Sequence, residues 1–574
     1  MKRPYHFTAG LRLARAGVVA LAVSLPLACS STPAKNAGPT LNGGGGASSS
    51  GGSGNTGGVV VTGPSGQQCV QGASLAPARL FLVSDVQYRN IVNDVFGVDY
   101  PANVDVTAPA STSGIYPYNE GAQVQATTIK AYLRAADQVA ALIPAFAPCA
   151  AGAANAMCME QFLRTKLPVA WRRPVTDQEI GDLIAIFNSG APDGQAVQVR
   201  LTMEAALTHS AFLYRAEFGG GASPPIGKVP LTPHQLAAAV SFGLLNSTPD
   251  AELWAKAVDG SLTQPQVLAA QVARLLALAP VRTNLQKKVS FLFNFEKLPF
   301  IHKDAAEFPE FGTLQSALYQ SSQKFLADIL GQGRFSDLFT SRTIYANEPI
   351  AKAYGLPPVT GMDLQKVTTT GAAYDGGVLT QPALLASSTL NAAGDDVVHR
   401  GLWVYYNLLC APDLPPPPPG ALAAAATMTG STREVAMQRG NGCGKACHGR
   451  FDAFGLVTLG YDGIGRYRTT DPTSTPPGGP LDTTATIAGG VLEGHAETTT
   501  LTGVAQLAQM FGAGRQVSDC AASNLAAYVL EHQLGNVNSC DLQAVEDRFE
   551  QTGSFTDLFA GIITSPAFLT RDAE

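Results

Sequence analysis

Thr232-Pro233-His234-Gln235, followed by Leu236, Val240 and Leu244, spells out the start of a helix. The threonine hydroxyl accepts from an otherwise unpaired backbone N–H, the proline sits where no N–H is needed, and the glutamine three residues on closes the reciprocal cap. The apolar residues then repeat every four positions, so they line one face. Working outward, the pattern recurs. Ser84-x-x-Gln87 precedes Tyr88, Ile91, Val92 and Val95 and is closed by Gly97, and Thr176-x-x-Glu179 precedes Ile180, Leu183, Ile184 and Phe187. Thr248-Pro249 starts another such segment, and helical periodicity runs through 195–217, 263–278, 281–295 and 314–330. The fold class that follows is mainly α, a helical body of several subdomains.

Beyond Gly371 the texture changes. Asp375-Gly376-Gly377 opens a new stretch, 397–409 reads as helix, and Pro415–Pro419 reads as a stiff polyproline spacer. A small loop and strand region is expected near 469–500, rich in Thr, Pro and Gly, followed by helices near 503–511, 521–534 and 542–551.

The 574 residues carry 38 Lys+Arg against 44 Asp+Glu, a net charge of −6, which argues against a nucleic-acid partner needing a basic face. A hydrophobic fraction of 45% supports large buried cores and excludes disorder throughout.

The N-terminus predicts export. Lys2, Arg3, Arg12 and Arg15 precede the apolar run 16–28, which is too short to span a bilayer and reads as a signal peptide. The run ends Leu25-Pro26-Leu27-Ala28-Cys29, similar to a bacterial lipobox, so Cys29 is the expected lipidation site and the membrane an expected partner through the acyl anchor, with ordinary signal cleavage nearby as the alternative. The Gly/Ser-rich stretch 42–58 then reads as a flexible tether. The expected location is the cell envelope, periplasmic or at the outer membrane or cell surface.

Nine cysteines in an exported chain imply disulfides. With Cys29 assigned to lipid and Cys443 and Cys447 set apart, Cys69, Cys149, Cys158, Cys410, Cys520 and Cys540 remain for three bridges. Short loops favour Cys149–Cys158 and Cys520–Cys540, leaving Cys69–Cys410.

The constellation with specific chemistry is Cys443-Gly444-Lys445-Ala446-Cys447-His448. In c-type haem attachment two thiols add to the porphyrin vinyl groups and the following His is the proximal iron ligand. The spacing is C-x-x-x-C-H, one residue longer than the usual C-x-x-C-H. Cys443, Cys447 and His448 are thus the candidate residues for haem c, with His448 on the iron and Met510 or His495 as candidates for the second axial position. A Cys443–Cys447 disulfide, a remnant motif and a zinc site with three of four ligands stand beside that reading.

Arg450-Phe451-Asp452-Ala453-Phe454-Gly455 and 461–468 resemble the stretch after the haem motif in the planctomycete-type cytochrome c family of large exported proteins, built from several domains of unknown function. Tyr88-Arg89-Asn90, Trp171-Arg172-Arg173-Pro174, Ala211–Arg215, Gly376–Thr380, Arg400–Val404 and Ser565-Pro566-Ala567-Phe568 resemble its other segments, in order. The resemblance covers about residues 80–570. It implies a cytochrome-like exported protein without fixing a reaction. The division expected is a signal peptide at 1–28, anchor and tether at 29–76, an N-terminal helical domain at 77–150 and an Arg-Arg-Pro helical domain at 151–220. A central helical domain at 221–370, a cytochrome c-like domain at 371–480 and a C-terminal helical domain at 481–574 complete it.

Other conspicuous residues have plainer readings. Trp171-Arg172-Arg173-Pro174 suits an anion clamp, but reads more simply as a stacking and ion-pair brace at a domain junction. Asp452 and Asp462 read as turn residues rather than a cation site, and His209, His234 and His399 as packed or surface imidazoles. No H-E-x-x-H, G-x-S-x-G or P-loop occurs, so neither hydrolase nor nucleotide chemistry has local support and no catalytic residue is identified. The expectation is an envelope electron-transfer or redox protein with a redox partner protein. The alternative is a non-enzymatic lipoprotein scaffold or binding module in which the Cys/His motif is a structural disulfide.

Overall fold

The computed structural model describes residues 59–62, 68–101, 104, 126–143, 156–220, 227–389, 396–417, 421, 425, 427–441, 443–534 and 539–573. Cys29, the signal segment and the 42–58 tether lie outside them. The described chain is mainly helical, and each of its sheets has two strands. No helix among the described residues is long and apolar enough to cross a membrane. All three capping boxes form: Ser84 with Gln87 opens Asp85–Phe96, Thr176 with Glu179 opens Asp177–Ser189, and Thr232 with Gln235 opens Pro233–Leu245. A cap is worth about 1 kcal/mol and sets a boundary, whereas the buried face holds the helix in place.

Two apolar cores result. Tyr88, Ile91, Leu163, Phe187 and Phe212 belong to the first, and the second gathers most of the buried apolar residues from Leu231 onward. Pro233–Leu245 serves both, giving Ala238 and Phe242 to the first and Leu236, Val240 and Leu244 to the second. Residues 236–244 are therefore all buried, and the helix is a shared wall with no solvent stripe.

The periodicity over 195–217 needs correction. Gln195–Thr208 is helical, the chain breaks at His209, and Tyr214–Glu217 is a strand antiparallel to Arg79–Leu82. The pleat turns Arg215 and Glu217 to the same buried side, where distant charges meet them. Glu217 accepts from Arg79 Nε at 3.0 Å and Arg571 Nε at 2.7 Å, while Arg215 Nη1 donates to Glu531 at 3.2 Å. The Arg215 guanidinium also lies over the rings of Phe81 and Phe242, at 3.9 and 4.2 Å. Arg571 belongs to the strand Thr570–Ala573, which pairs with Gly227–Pro230, so the end of the chain is stitched to its middle.

The cysteine pairing also departs from the short-loop expectation. The bridges are Cys69–Cys540 and Cys410–Cys520, with Cα separations of 5.0 and 5.4 Å. Cys158 is disulfide-bonded, and Cys149, its expected partner, lies outside the described residues. Cys520 lies ten residues before the end of Arg515–Leu530, about 15 Å along the axis at 1.5 Å per residue, whereas Cys540 opens the next helix, Cys540–Thr552. The two helices pack together, but their thiols are far apart along them. The Cys69 bridge also moves the start of the folded body. Val59–Thr62 pairs with Gln68–Gln71, and Ala73, Leu75 and Ala76 are buried, so the segment up to 76 is not all tether. Non-reducing peptide mapping is expected to recover the 69–540 and 410–520 cross-links, and Cys69→Ser with Cys540→Ser is expected to cost about 2–4 kcal/mol in urea unfolding.

Helix Cys540–Thr552 also carries a titrating group. Burial pushes the Glu546 carboxyl up to about 8, with Asp519 and Asp547 adding repulsion, although Ser523 donates to it at 2.8 Å and Arg515 opposes the rise. The folded chain therefore holds a proton that the unfolded chain releases near 4.5. Stability falls as pH rises from that value through about 8. Glu546→Gln removes this loss, so the variant is expected to gain roughly 2 kcal/mol over the parent at pH 9 and little at pH 5, by urea unfolding at both.

Candidate functional site

The sequence motif folds as a short 3-10 turn, Cys443–Ala446, running into the helix His448–Leu456. Gly444 is required by space: a Cβ there would lie 2.6 Å from the Arg439 carbonyl and 2.9 Å from the His448 ring. The turn brings Cys447 and His448 to the start of the helix. Cys447 is a free, half-buried thiol whose Sγ donates to the Gly444 carbonyl at 3.4 Å. Cys447 thus stands unbridged, while the Cys443 side chain lies outside what the structure describes.

His448 is oriented by its own helix. Its Nδ1 lies 3.1 and 3.2 Å from the two carboxylate oxygens of Asp452, one turn on, and its ring packs 5.0 Å from Phe451. Burial raises the Asp452 pKa, and the hydrogen bond and charge of His448 act against that rise. A carboxylate on Nδ1 fixes the tautomer with its proton there and leaves Nε2 as the lone-pair nitrogen. Among the described residues, Nε2 makes no hydrogen bond.

The helix itself is held from behind. It packs against Val397–Trp403, and the crossing is so close that a Cβ on Gly455 would stand 1.9 Å from the Val397 carbonyl and one on Gly401 2.4 Å from the Phe451 carbonyl. Arg400, on the same partner helix, donates to the carbonyls of Tyr461 at 2.9 Å, Thr458 at 3.3 Å and Asp462 at 2.5 Å. It thereby clamps the turn that follows the motif helix. Asp462 accepts from the Ile464 and Arg466 amides and from Arg466 Nε at 2.6 Å, which is a turn-bracing role. No cluster suited to a metal ion occurs among the described residues.

The axial candidates stand apart from His448. Met510 packs partly buried against the larger core from Val504–Ala513, and His495 is exposed in a turn. Among the described residues, no hydrogen bond or ring contact joins either to His448. The three histidines read above as packed or surface imidazoles have structural partners: His209 stacks on Trp171 at 4.2 Å, His234 meets Trp254 edge-on, and His399 pairs with Asp396.

The residues that sequence reasoning did not place at the motif are Asp452, as the imidazole's partner, and Gly401, Gly455 and Arg400 as its support. Only Asp452 left a signal, its spacing of four from His448 on a helix.

Haem c is the group the motif implies, and the donor chemistry fits it: a free thiol at Cys447 beside an imidazole already held in the metal-binding tautomer. Three family models match the chain in tandem. Residues 158–217 match PSD5, a protein of unknown function (DUF1595), residues 231–356 match PSD4, a protein of unknown function (DUF1592), and residues 375–471 match PSCyt3, a protein of unknown function (DUF1588). No curated protein and no solved structure matches the chain.

Proposed function

The chain belongs to the planctomycete-type cytochrome c family, and from that membership we propose that it is an exported electron-transfer or redox protein of the cell envelope carrying haem c at its Cys/His motif. The observation that carries the proposal is the unbridged Cys447 thiol adjoining an imidazole whose Nδ1 is engaged by Asp452. In this reading Cys443 and Cys447 would hold the group through thioethers, and His448 Nε2 would bind its iron. Bound haem supplies one-electron transfer. Asp452 keeps the imidazole in one tautomer and raises its basicity as a ligand. Gly401, Gly455 and Arg400 keep the motif helix in place. Met510 and His495 would be the candidates for a second iron ligand, and a redox partner protein docks on the large helical body. A lipid on Cys29, beyond a cleaved signal peptide and before the Gly/Ser tether, anchors that body to a membrane.

The test is expression through the export route with a cytochrome c maturation system, followed by the reduced pyridine adduct spectrum and intact mass. A c-type spectrum with a haem-sized mass increment, both lost in Cys447→Ala, is the expected result. A colourless protein with no such increment overturns the haem reading and leaves the envelope scaffold. Intact mass on the same sample also reads the lipid on Cys29, which Cys29→Ser is expected to remove.

A further inference from the structure

Between the turn at Trp171–Pro174, the strand Tyr214–Glu217 and the start of Pro233–Leu245 lies a cavity of about 480 Å³, within the size range of small-molecule sites. Trp171, Arg172, Arg173, Tyr214, Arg215 and His234 contribute to its wall. Arg172 holds a left-handed backbone, φ 57°, which a residue with a side chain adopts at a cost. Its buried guanidinium donates only to carbonyls: Ala170 and Ala211 at 2.7 Å, Phe212 at 2.9 Å and Tyr214 at 3.0 Å. Among the described residues no carboxylate pairs with it. Burial, with Arg215 and Arg173 nearby, pushes its pKa down to about 9.

Arg215 stands in the same wall, buried between Phe81 and Phe242 and paired with Glu531, and adds its positive charge there. The surrounding carboxylates are already engaged. Glu217, also in the wall, is taken by Arg79 and Arg571, Glu531 by Arg215 and Gln87, and Glu179 by Arg173 and the Thr176 cap. Five guanidiniums thus stand among three carboxylates. Carbonyl dipoles orient a guanidinium without neutralising it, and an excess of buried positive charge is costly until an opposite charge arrives. The brace reading accounts for Arg173, which lies 5.4 Å from the Trp171 ring and pairs with Glu179. It leaves the uncompensated Arg172 unexplained.

We propose that this cavity binds a small oxyanion-bearing molecule, its carboxylate or phosphate group seated against Arg172 and Arg173, with Arg215 adding positive charge from within the wall and Tyr214 and His234 lining the space for the rest. The site is separate from the Cys/His motif and does not depend on haem.

The test titrates the full exported chain with inorganic phosphate and with succinate at fixed ionic strength, reading tryptophan fluorescence and thermal midpoint. Saturable binding of at least one is expected, phosphate alone marking a phosphate site and succinate alone a carboxylate site. Arg173→Gln alters a side chain that is 38% exposed, so the fold is retained, and binding is expected to weaken about tenfold or more. Arg164→Gln, which removes a charge from the exposed pair with Glu160 and Asp177, is expected to bind as the parent does. Absence of saturation with both anions, or equal binding by Arg173→Gln and the parent, overturns the proposal.

Discussion

Gly455→Ala is expected to lower stability by about 3 kcal/mol or more in urea unfolding. An added methyl group at Gly455 would stand 1.9 Å from the Val397 carbonyl, less than any contact between such atoms allows, so the two helices must separate. Separation pulls Phe451 and Phe454, both buried, away from the core and loosens the hold of Arg400 on the turn at Tyr461. Gly401→Ala is expected to act in the same direction from the facing helix. Gly440→Ala is the control: it lies in Thr432–Asn441 with open space around it, so alanine's better helix propensity leaves stability unchanged or raised by up to about 1 kcal/mol. Equal behaviour of Gly455→Ala and Gly440→Ala sinks the close-crossing account of the motif helix.

Glu217→Gln is expected to cost about 3–5 kcal/mol. The carboxylate is buried between Arg79 and Arg571, which hold its pKa well below the usual range although burial acts to raise it. Glutamine keeps the shape but leaves Arg571 buried with no carboxylate, and that residual charge is the main cost. Because Arg571 lies on the final strand, the variant is also expected to lose residues 570–573 to limited proteolysis sooner than the parent. Arg164→Ala, which breaks an exposed pair, is expected to change stability by less than about 1 kcal/mol. A Glu217→Gln variant as stable as Arg164→Ala removes the buried network from the account of the fold.

Both expectations depend on contacts between segments far apart in the chain. The motif at 443–448 was legible in sequence because turn, thiols and imidazole are consecutive, and Asp452 sits within the same helix. Its supporting partner was not legible, because nothing in Gly401 or Gly455 by itself announces that two backbones meet there. Similarly, Arg-Arg-Pro at 172–174 was legible as a junction element, whereas the cavity beside it depends on Arg215, far along the chain, and on carboxylates that other segments engage.

By itself the sequence determined the helices and where they begin. Caps such as Ser84, Thr176 and Thr232 act within four residues, and apolar periodicity acts within one element. The tertiary structure alone decided that 214–217 is a strand, that Cys69 meets Cys540 and Cys410 meets Cys520, and that residues 236–244 are all buried. Strand pairing and disulfide choice depend on which distant backbones arrive within about 5–6 Å of each other. Loop length carries little of that information, since closure entropy grows only slowly with separation.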